Sequence, residues 1–212
     1  LEASVNLNNQ GFVPDVIIAH HGWGESAFLK DLWPESRLGI YCEYYYRDNN
    51  SDLDFDSEFP KPSIESIVKL KEGNGPVRIK NINNLLHMSI ADGALSPTEW
   101  QANTFPESFK KKIRVIHDGI DTEKIKPDPD ANIILNNAVC ISRKDEVLTF
   151  VNRDLEPMRG YHIFMRSLPK ILKARAKLRV LIVGSDGVSY GRRPSGDKSW
   201  RDLFADEVRP KL

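Results

Sequence analysis

The chain has 212 residues, 40% of them hydrophobic and 28% charged, which is ordinary for a soluble globular protein and enough for one large domain or two small ones. Its 30 basic and 30 acidic residues cancel, which excludes a global field able to hold nucleic acid or an anionic membrane non-specifically. No apolar run approaches the roughly 18 residues of a membrane span, and the N-terminus carries neither a basic leader nor a signal-like core. The two cysteines, Cys42 and Cys140, sit in apolar, strand-like runs, so buried thiols in a reducing compartment are expected, and neither a disulfide framework nor a zinc site. The expected location is cytoplasmic. The opening on Leu1, without an initiator methionine, reads as that of a fragment.

In chain order, residues 16–19 (VIIA) form a short apolar run of the kind buried on both faces of a parallel sheet. Residues 25–32 have helical spacing closed by Pro34, and residues 37–45 return to β-branched and aromatic composition, so a βα unit followed by a strand is expected. Residues 47–62 are rich in Asp, Asn, Ser and Pro, marking a long polar loop with the character of a lid. Helical periodicity resumes at 64–70 and 79–90, and 91–95 reads as a strand. Ser96-Pro97-Thr98-Glu99 reads as a helix start with Ser96 as N-cap, and 112–116 as the next strand.

Residues 124–130 (KIKPDPD) concentrate proline and charge. A linker and crossover is therefore placed over 124–146, between an N-terminal domain at 1–123 and a C-terminal domain at 147–212. The latter reads as a strand at 147–151, a helix from Gly160 to about Lys173 kinked at Pro169, and a strand at 179–183 that ends in Gly184. Alternating strands and helices on both sides of the linker predict two doubly wound, Rossmann-like α/β domains.

Three clusters carry chemistry. In FVNRDLEPMRGYHIFMRSL (150–168) a strand ends in Asn152 and Arg153, and Arg159 directly precedes Gly160 and a helix. Two cations beside exposed N–H groups at a helix start suit a diphosphate, because charged hydrogen bonds and the helix dipole act on the same oxygens; the competing reading is two surface arginines at an ordinary turn. Gly184, Ser185 and Asp186, with Gly187, follow the strand LRVLIV where open α/β sheets bind ligands, or else form a simple tight turn. His20, His21, Gly22, Trp23, Gly24 and Glu25 crowd the end of the first strand, where histidine and glutamate can serve as acid, base or orienting group and the glycines admit a substrate to the backbone. A satisfied strand-end histidine is the alternative.

Two further stretches weigh less. The alternating carboxylates of Asp52, Asp54 and Asp56 fall in a polar loop and not directly after a buried strand, so no metal site is expected. Tyr44, Tyr45 and Tyr46 read as packing and loop anchors, with sugar stacking as the alternative.

These segments together resemble the GT-B glycosyltransferases, specifically the retaining group called glycosyltransferase family four or group one. FVNRDLEPMRGYHIFMRSLPKIL is similar to that family's strand, arginine, E-x-x-K/R-G and helix. RVLIVGSDG is similar to the following strand and glycine turn, and RVIHDGIDTEKIKP to the interdomain crossover. PDVIIAHHGWGES with SPTEWQANTFP resembles a bacterial subfamily with its own N-terminal domain.

The resemblance implies a GT-B fold and transfer of a sugar, with retention at the anomeric carbon. The donor is a nucleotide sugar held mainly by the C-terminal domain, and the acceptor is a saccharide, lipid-linked or other glycosyl acceptor held mainly by the N-terminal domain. It implies a place in polysaccharide biosynthesis, peripheral association with the inner face of the membrane, no nucleic-acid partner and no metal or other cofactor. On the same basis Arg153, Arg159 and Gly160 bind the donor diphosphate. Gly184, Ser185 and Asp186 lie on its nucleotide side, and His21, or else His20, is the strand-end histidine beside sugar and acceptor. His20, Gly22, Trp23, Gly24 and Glu25 then line the acceptor side. Arg159 stands where the family commonly has lysine, preserving charge but changing hydrogen-bond geometry. The family's glycine-rich loop after its first strand and its downstream glutamate pair have no counterpart here, so both domains are expected to be incomplete. A GT-B-like epimerase or phosphorylase, and a non-catalytic nucleotide-sugar-binding module, are the alternatives.

Overall fold

A computed structural model describes residues 1–47, 56–59, 75–136 and 139–212. Most of the expected polar loop, with Asp52 and Asp54, and the periodic stretch at 64–70 lie outside the described residues. The chain divides into two compact units, Leu1–Phe55 with Pro62–Ile120, and Asp56–Lys61 with Asp121–Leu212.

In the first unit, helix α1 (Glu2–Asn9) precedes strand β1 (Val16–His20), a single helical turn α2 (Leu29–Leu32) and strand β2 (Arg37–Tyr41). Then come helices α3 (Gly75–Lys80) and α4 (Ile82–Ile90), strand β3 (Gly93–Ser96), the short helices α5 (Glu99–Ala102) and α6 (Glu107–Lys110), and strand β4 (Ile113–Val115). The strands form one parallel sheet in the order β1-β2-β3-β4, with Val16 opposite Arg37, Gly39 opposite Gly93 and Ala94 opposite Ile113. Parallel pairing demands crossovers, and helices cover the strands accordingly.

The sheet buries its central strand best. Leu38, Ile40 and Cys42 alternate into a core completed by Ala91, Ala94, Phe105 and Phe109. β1 differs from the expectation of a strand buried on both faces: Val16 and Ile18 are exposed, while Ile17 and Ala19 pack on the core. Among the described residues it ends the strand order, with one of its long edges paired. Gly39 lies under Ile18 on the other face of the sheet, where a Cβ would come within 2.7 Å of Ile18 Cδ1.

Two local expectations are corrected. The helix expected over 25–32 is only its last turn, because Gly22 and the positive-φ Gly24 (φ +86°) send residues 21–28 through successive turns instead. The cap of α5 is Thr98, not Ser96: Thr98 Oγ1 accepts the Gln101 N–H at 3.1 Å. Ser96 completes β3, and its buried hydroxyl donates to the Cys42 carbonyl at 2.8 Å.

In the second unit, residues 132–135 and 139–142, placed by sequence within the linker, form an antiparallel pair of strands, β5 (Asn132–Leu135) and β6 (Val139–Ser142). Strand β7 (Val147–Asp154) leads through a 3-10 turn (Pro157–Arg159) into α7 (Tyr161–Ala174), which returns to β8 (Arg179–Ser185), parallel to β7. Pro169 lies within α7, and the helix continues past it to Ala174. Helix α8 (Trp200–Val208) begins with a reciprocal cap between Ser199 and Asp202. Leu155, Tyr161, Met165, Leu168, Phe204 and Val208 form this unit's core.

Cys42 is buried as expected, and burial pushes its thiol up to about 12. Cys140 is exposed instead: in the two-stranded β5–β6 ribbon Ile141 is buried while both Val139 and Cys140 are exposed.

Sequence gave no warning of the place of Asp56–Phe59. This short stretch packs within the second unit, with Asp56 on His162 at 3.0 Å and Glu58 paired to Arg166 at 2.6 Å. The Phe59 ring lies 5.0, 5.1 and 5.9 Å from the rings of His162, Trp200 and Phe204. Among the described residues, no helix is long and apolar enough to cross a membrane.

Candidate functional site

Each unit gathers polar chemistry at the carboxyl ends of its parallel strands, where open α/β sheets bind ligands.

In the first unit, β1 delivers His20 and His21, and the chain beyond β2 delivers Glu43 and Tyr44. Together with Lys80 and Asn83 from the α3–α4 region, these side chains line a pocket of about 110 Å³. His21 is 3% exposed, and its Nε2 lies 2.6 Å from Asn84 Oδ1. Asn84 Nδ2 donates to the Tyr44 carbonyl at 3.1 Å and to Asn81 Oδ1 at 2.9 Å, so Oδ1 is fixed as the acceptor and His21 Nε2 must carry the hydrogen. Burial lowers the His21 pKa, against the opposing bond from Asn84, and the neighbouring His87 and His20 rings lower it further. The imidazole is therefore neutral; among the described residues its buried Nδ1 has no hydrogen-bond partner within normal geometry, although the Tyr41 backbone acts on the ring and raises its pKa slightly against the burial. A neutral imidazole nitrogen is an acceptor for a hydroxyl hydrogen once it is uncovered.

The supports are built from α4. His87, fully buried, donates from Nδ1 to the Asn83 carbonyl at 2.7 Å, which leaves its Nε2 to accept from Ser26 Oγ at 2.8 Å. Asn83 Nδ2 in turn donates to the Gly22 carbonyl at 2.8 Å, fixing the turn after β1. His20 is more open, with Nε2 on Glu43 at 3.0 Å and Nδ1 accepting the Gly22 N–H at 3.4 Å. Trp23, 83% exposed, and Glu25, also exposed, stand outside the pocket lining, while Gly24 packs beside Asn83.

A lowered histidine pKa has a definite sign in stability. The unfolded chain binds the His21 proton more readily than the folded one, so the neutral histidine's contribution is fully present above the unfolded value of 6.5 and is lost as pH falls toward the folded pKa. Over that window the slope cannot exceed about 1.4 kcal/mol per pH unit, the value for one full proton. Denaturant titrations of the wild type and of His21→Gln from pH 7.5 to 5 should show the wild type losing stability more steeply. Parallel curves would remove His21 from this role.

In the second unit, β7 ends with Arg153, largely exposed, and Asp154, buried. Ser185, the last residue of β8, donates from Oγ to Asp154 Oδ1 at 2.5 Å. Gly184 lies inside β8, and a Cβ on it would come within 2.8 Å of the Asn152 carbonyl and 2.7 Å of Leu155, so close packing on β7 already requires glycine there. Asp186 is paired with Arg201 of α8 at 3.1 Å.

The cations converge around the start of α7. Gly160, in the left-handed region at φ +74°, joins the 3-10 turn to the helix; a Cβ on it would meet nothing within 4 Å, so there is space beside its Cα, while the Gly160 and Tyr161 N–H groups bond back to Pro157 and Glu156 at 2.8 and 3.4 Å. Arg159 Nε is buried and without a hydrogen-bond partner. The Arg159 and Arg153 guanidiniums lie 4.7 and 6.0 Å from the centre of one ring, that of Tyr190. Arg153, Arg159, Gly160 and the end of β8 are thus brought together around β7, with Asp186 turned to Arg201.

Glu156 and Tyr190 are the residues the sequence reading passed over. Glu156 is 0% exposed; its carboxylate accepts the N–H groups of Ser189, Tyr190 and Gly191 at 3.1, 3.1 and 2.8 Å and the Ser189 hydroxyl at 2.8 Å. Burial alone raises its pKa, but these four bonds outweigh it and hold the group below the usual glutamate value, as an anion. The signal available was its place three residues before Arg159 in E-x-x-R-G. Among the described residues, no cluster of three or more histidine, cysteine or carboxylate side chains is arranged to hold a metal ion.

Parallel βα units with polar strand ends define a Rossmann-like α/β protein. The model of the glycosyl transferase family 4 group matches residues 1–125, more than half of the chain, and the chain belongs to that family. A solved structure, the Glycosylation Associate Protein (Gap123) complex from Streptococcus agalactiae, is similar at 15% identity with a TM-score of 0.45. The similarity covers 99% of this chain and 32% of that one, so the chain spans about a third of that structure's length. No curated protein matches the sequence significantly.

Proposed function

We propose that this chain belongs to a glycosyltransferase that moves a sugar from a nucleotide-sugar donor to a hydroxyl-bearing acceptor with retention of anomeric configuration. The observation that carries the reading is the convergence of Arg153 and Arg159 beside the start of α7, where there is open space at the Gly160 Cα and Arg159 Nε has no hydrogen-bond partner among the described residues. Two cations and helix N–H groups in one place match the charge and oxygen geometry of a diphosphate leaving group. Family membership supports the same chemistry.

On this reading Arg153, Arg159 and Gly160 hold the diphosphate, and Gly184, Ser185 and Asp186 border the nucleotide. The pocket around His21 receives the acceptor, a saccharide or a lipid-linked glycosyl unit. Its polar walls and the Tyr44 ring suit hydroxyl-rich ligands, with Tyr44 held flat against Trp100 at 5.8 Å and an interplanar angle of 20°. The arginines supply the positive charge, so turnover is expected to survive a chelator.

A panel of nucleotide sugars offered with saccharide acceptors, with products assigned by NMR, tests the proposal. Transfer with the donor's anomeric configuration kept is the expected result. An inverted product overturns retention, and sugar release only in the presence of phosphate replaces transfer by phosphorolysis.

A further inference from the structure

Resting on the diphosphate reading, we infer that Glu156 and Tyr190 are positioning residues of the cradle: the buried carboxylate fixes a loop whose tyrosine ring orients both arginines. A buried anion is costly unless its lone pairs are filled, and here all four donors come from three consecutive residues, Ser189 to Gly191. The site of that loop is therefore set by the charge on Glu156. Gly191 completes the fit, since a Cβ there would stand 2.8 Å from Glu156 Oε2.

Pinned on both sides, Tyr190 places its ring 4.7 Å from the Arg159 guanidinium and 6.0 Å from that of Arg153. A guanidinium carries its N–H groups in its plane and meets aromatic rings with its face. Placed over the Tyr190 ring, the guanidiniums keep terminal N–H groups for phosphate oxygens. It also restricts two long side chains before the ligand arrives, so less rotamer freedom is lost on binding. The carboxylate acts three residues before Arg159 without touching the ligand.

The test is calorimetric titration of the full chain with inorganic pyrophosphate and with UDP, GDP and ADP, each nucleotide paired with its nucleoside. Tyr190→Ala should weaken diphosphate binding about 3- to 30-fold, the range a cation–π contact spans. Tyr190→Phe, which keeps the ring, should bind as wild type. Glu156→Gln should show a loss like that of Tyr190→Ala, and the double variant should lose no more than the worse single one, because both act on the same arginines. Nucleoside affinity should stay unchanged throughout.

Wild-type diphosphate affinity in Tyr190→Ala, additive losses in the double variant, or an equal loss for the nucleosides would each overturn the inference. Should Glu156→Gln not fold, Ser189→Ala replaces it in the cycle with Tyr190→Ala. Arg153→Ala and Arg159→Ala separate the two levels. If they lose pyrophosphate binding while Tyr190→Ala does not, only the positioning role falls. If they keep it, the cradle falls as well.

Discussion

Arg159→Ala is expected to weaken binding of the donor's nucleoside diphosphate about 10- to 150-fold, since a hydrogen bond to a charged group contributes about 1.5–3 kcal/mol. Arg153→Ala should fall in the same range. The fold should tolerate both, because neither side chain belongs to the core built by Leu155, Tyr161, Met165, Leu168, Phe204 and Val208. Arg159→Lys is the informative intermediate: it keeps the charge but gives up the planar fork that lies over the Tyr190 ring at 4.7 Å, so a smaller loss is expected. Raising the ionic strength should narrow the gap between wild type and variants, most of all for the more exposed Arg153. Titration of each folded variant with the nucleoside diphosphate decides the matter. Wild-type affinity in both alanine variants would take these arginines out of the site.

What could be read ahead of the structure was mostly periodicity and strand ends. Runs such as VIIA and LRVLIV announce parallel strands because apolar side chains must be covered, and β1 and β8 lie there. Burial by position was less legible. Composition does not say that β1 ends the strand order with Ile18 facing out, nor that Cys140 is exposed in a two-stranded ribbon. Caps depend on backbone dihedrals, so Ser96 and Thr98 were interchangeable by type until the extended Thr98 backbone (φ −142°, ψ 154°) singled it out. Of the site, the cations were visible and their partners were not. Glu156 binds residues 33 to 35 positions away and His21 binds Asn84 at a separation of 63, distances over which one sequence carries no pairing signal. Gly184 shows the converse difficulty, a glycine at a ligand-binding strand end that packing against Asn152 and Leu155 already demands.

His21→Ala is expected to lower transfer at subsaturating acceptor by about 100-fold or more, the lower end of what a positioned acid–base group contributes, while nucleoside diphosphate affinity changes less than twofold. The separation follows from where the groups lie: His21 is built into the first compact unit and the arginine cradle into the second. Its Nδ1 lone pair is fixed by a chain of bonds from Asn84, whose own donors are held by the Tyr44 carbonyl and Asn81. Alanine removes that acceptor and strands Asn84 Oδ1, an unmade buried bond that costs about 1–3 kcal/mol of stability, so activity must be compared in samples shown to be folded. Asn84→Ala should reduce transfer less, because it frees the ring to rotate without deleting it. Protonation converts Nδ1 from acceptor to donor, and since burial lowers this pKa, wild-type transfer should hold through pH 6.5 and fall only on further acidification. An acceptor analogue lacking the reacting hydroxyl should bind wild type and His21→Ala alike if the bond forms mainly as the hydroxyl loses its proton. Wild-type turnover by folded His21→Ala at subsaturating acceptor would reduce His21 to a packed member of the His87, Asn84 and Asn81 network.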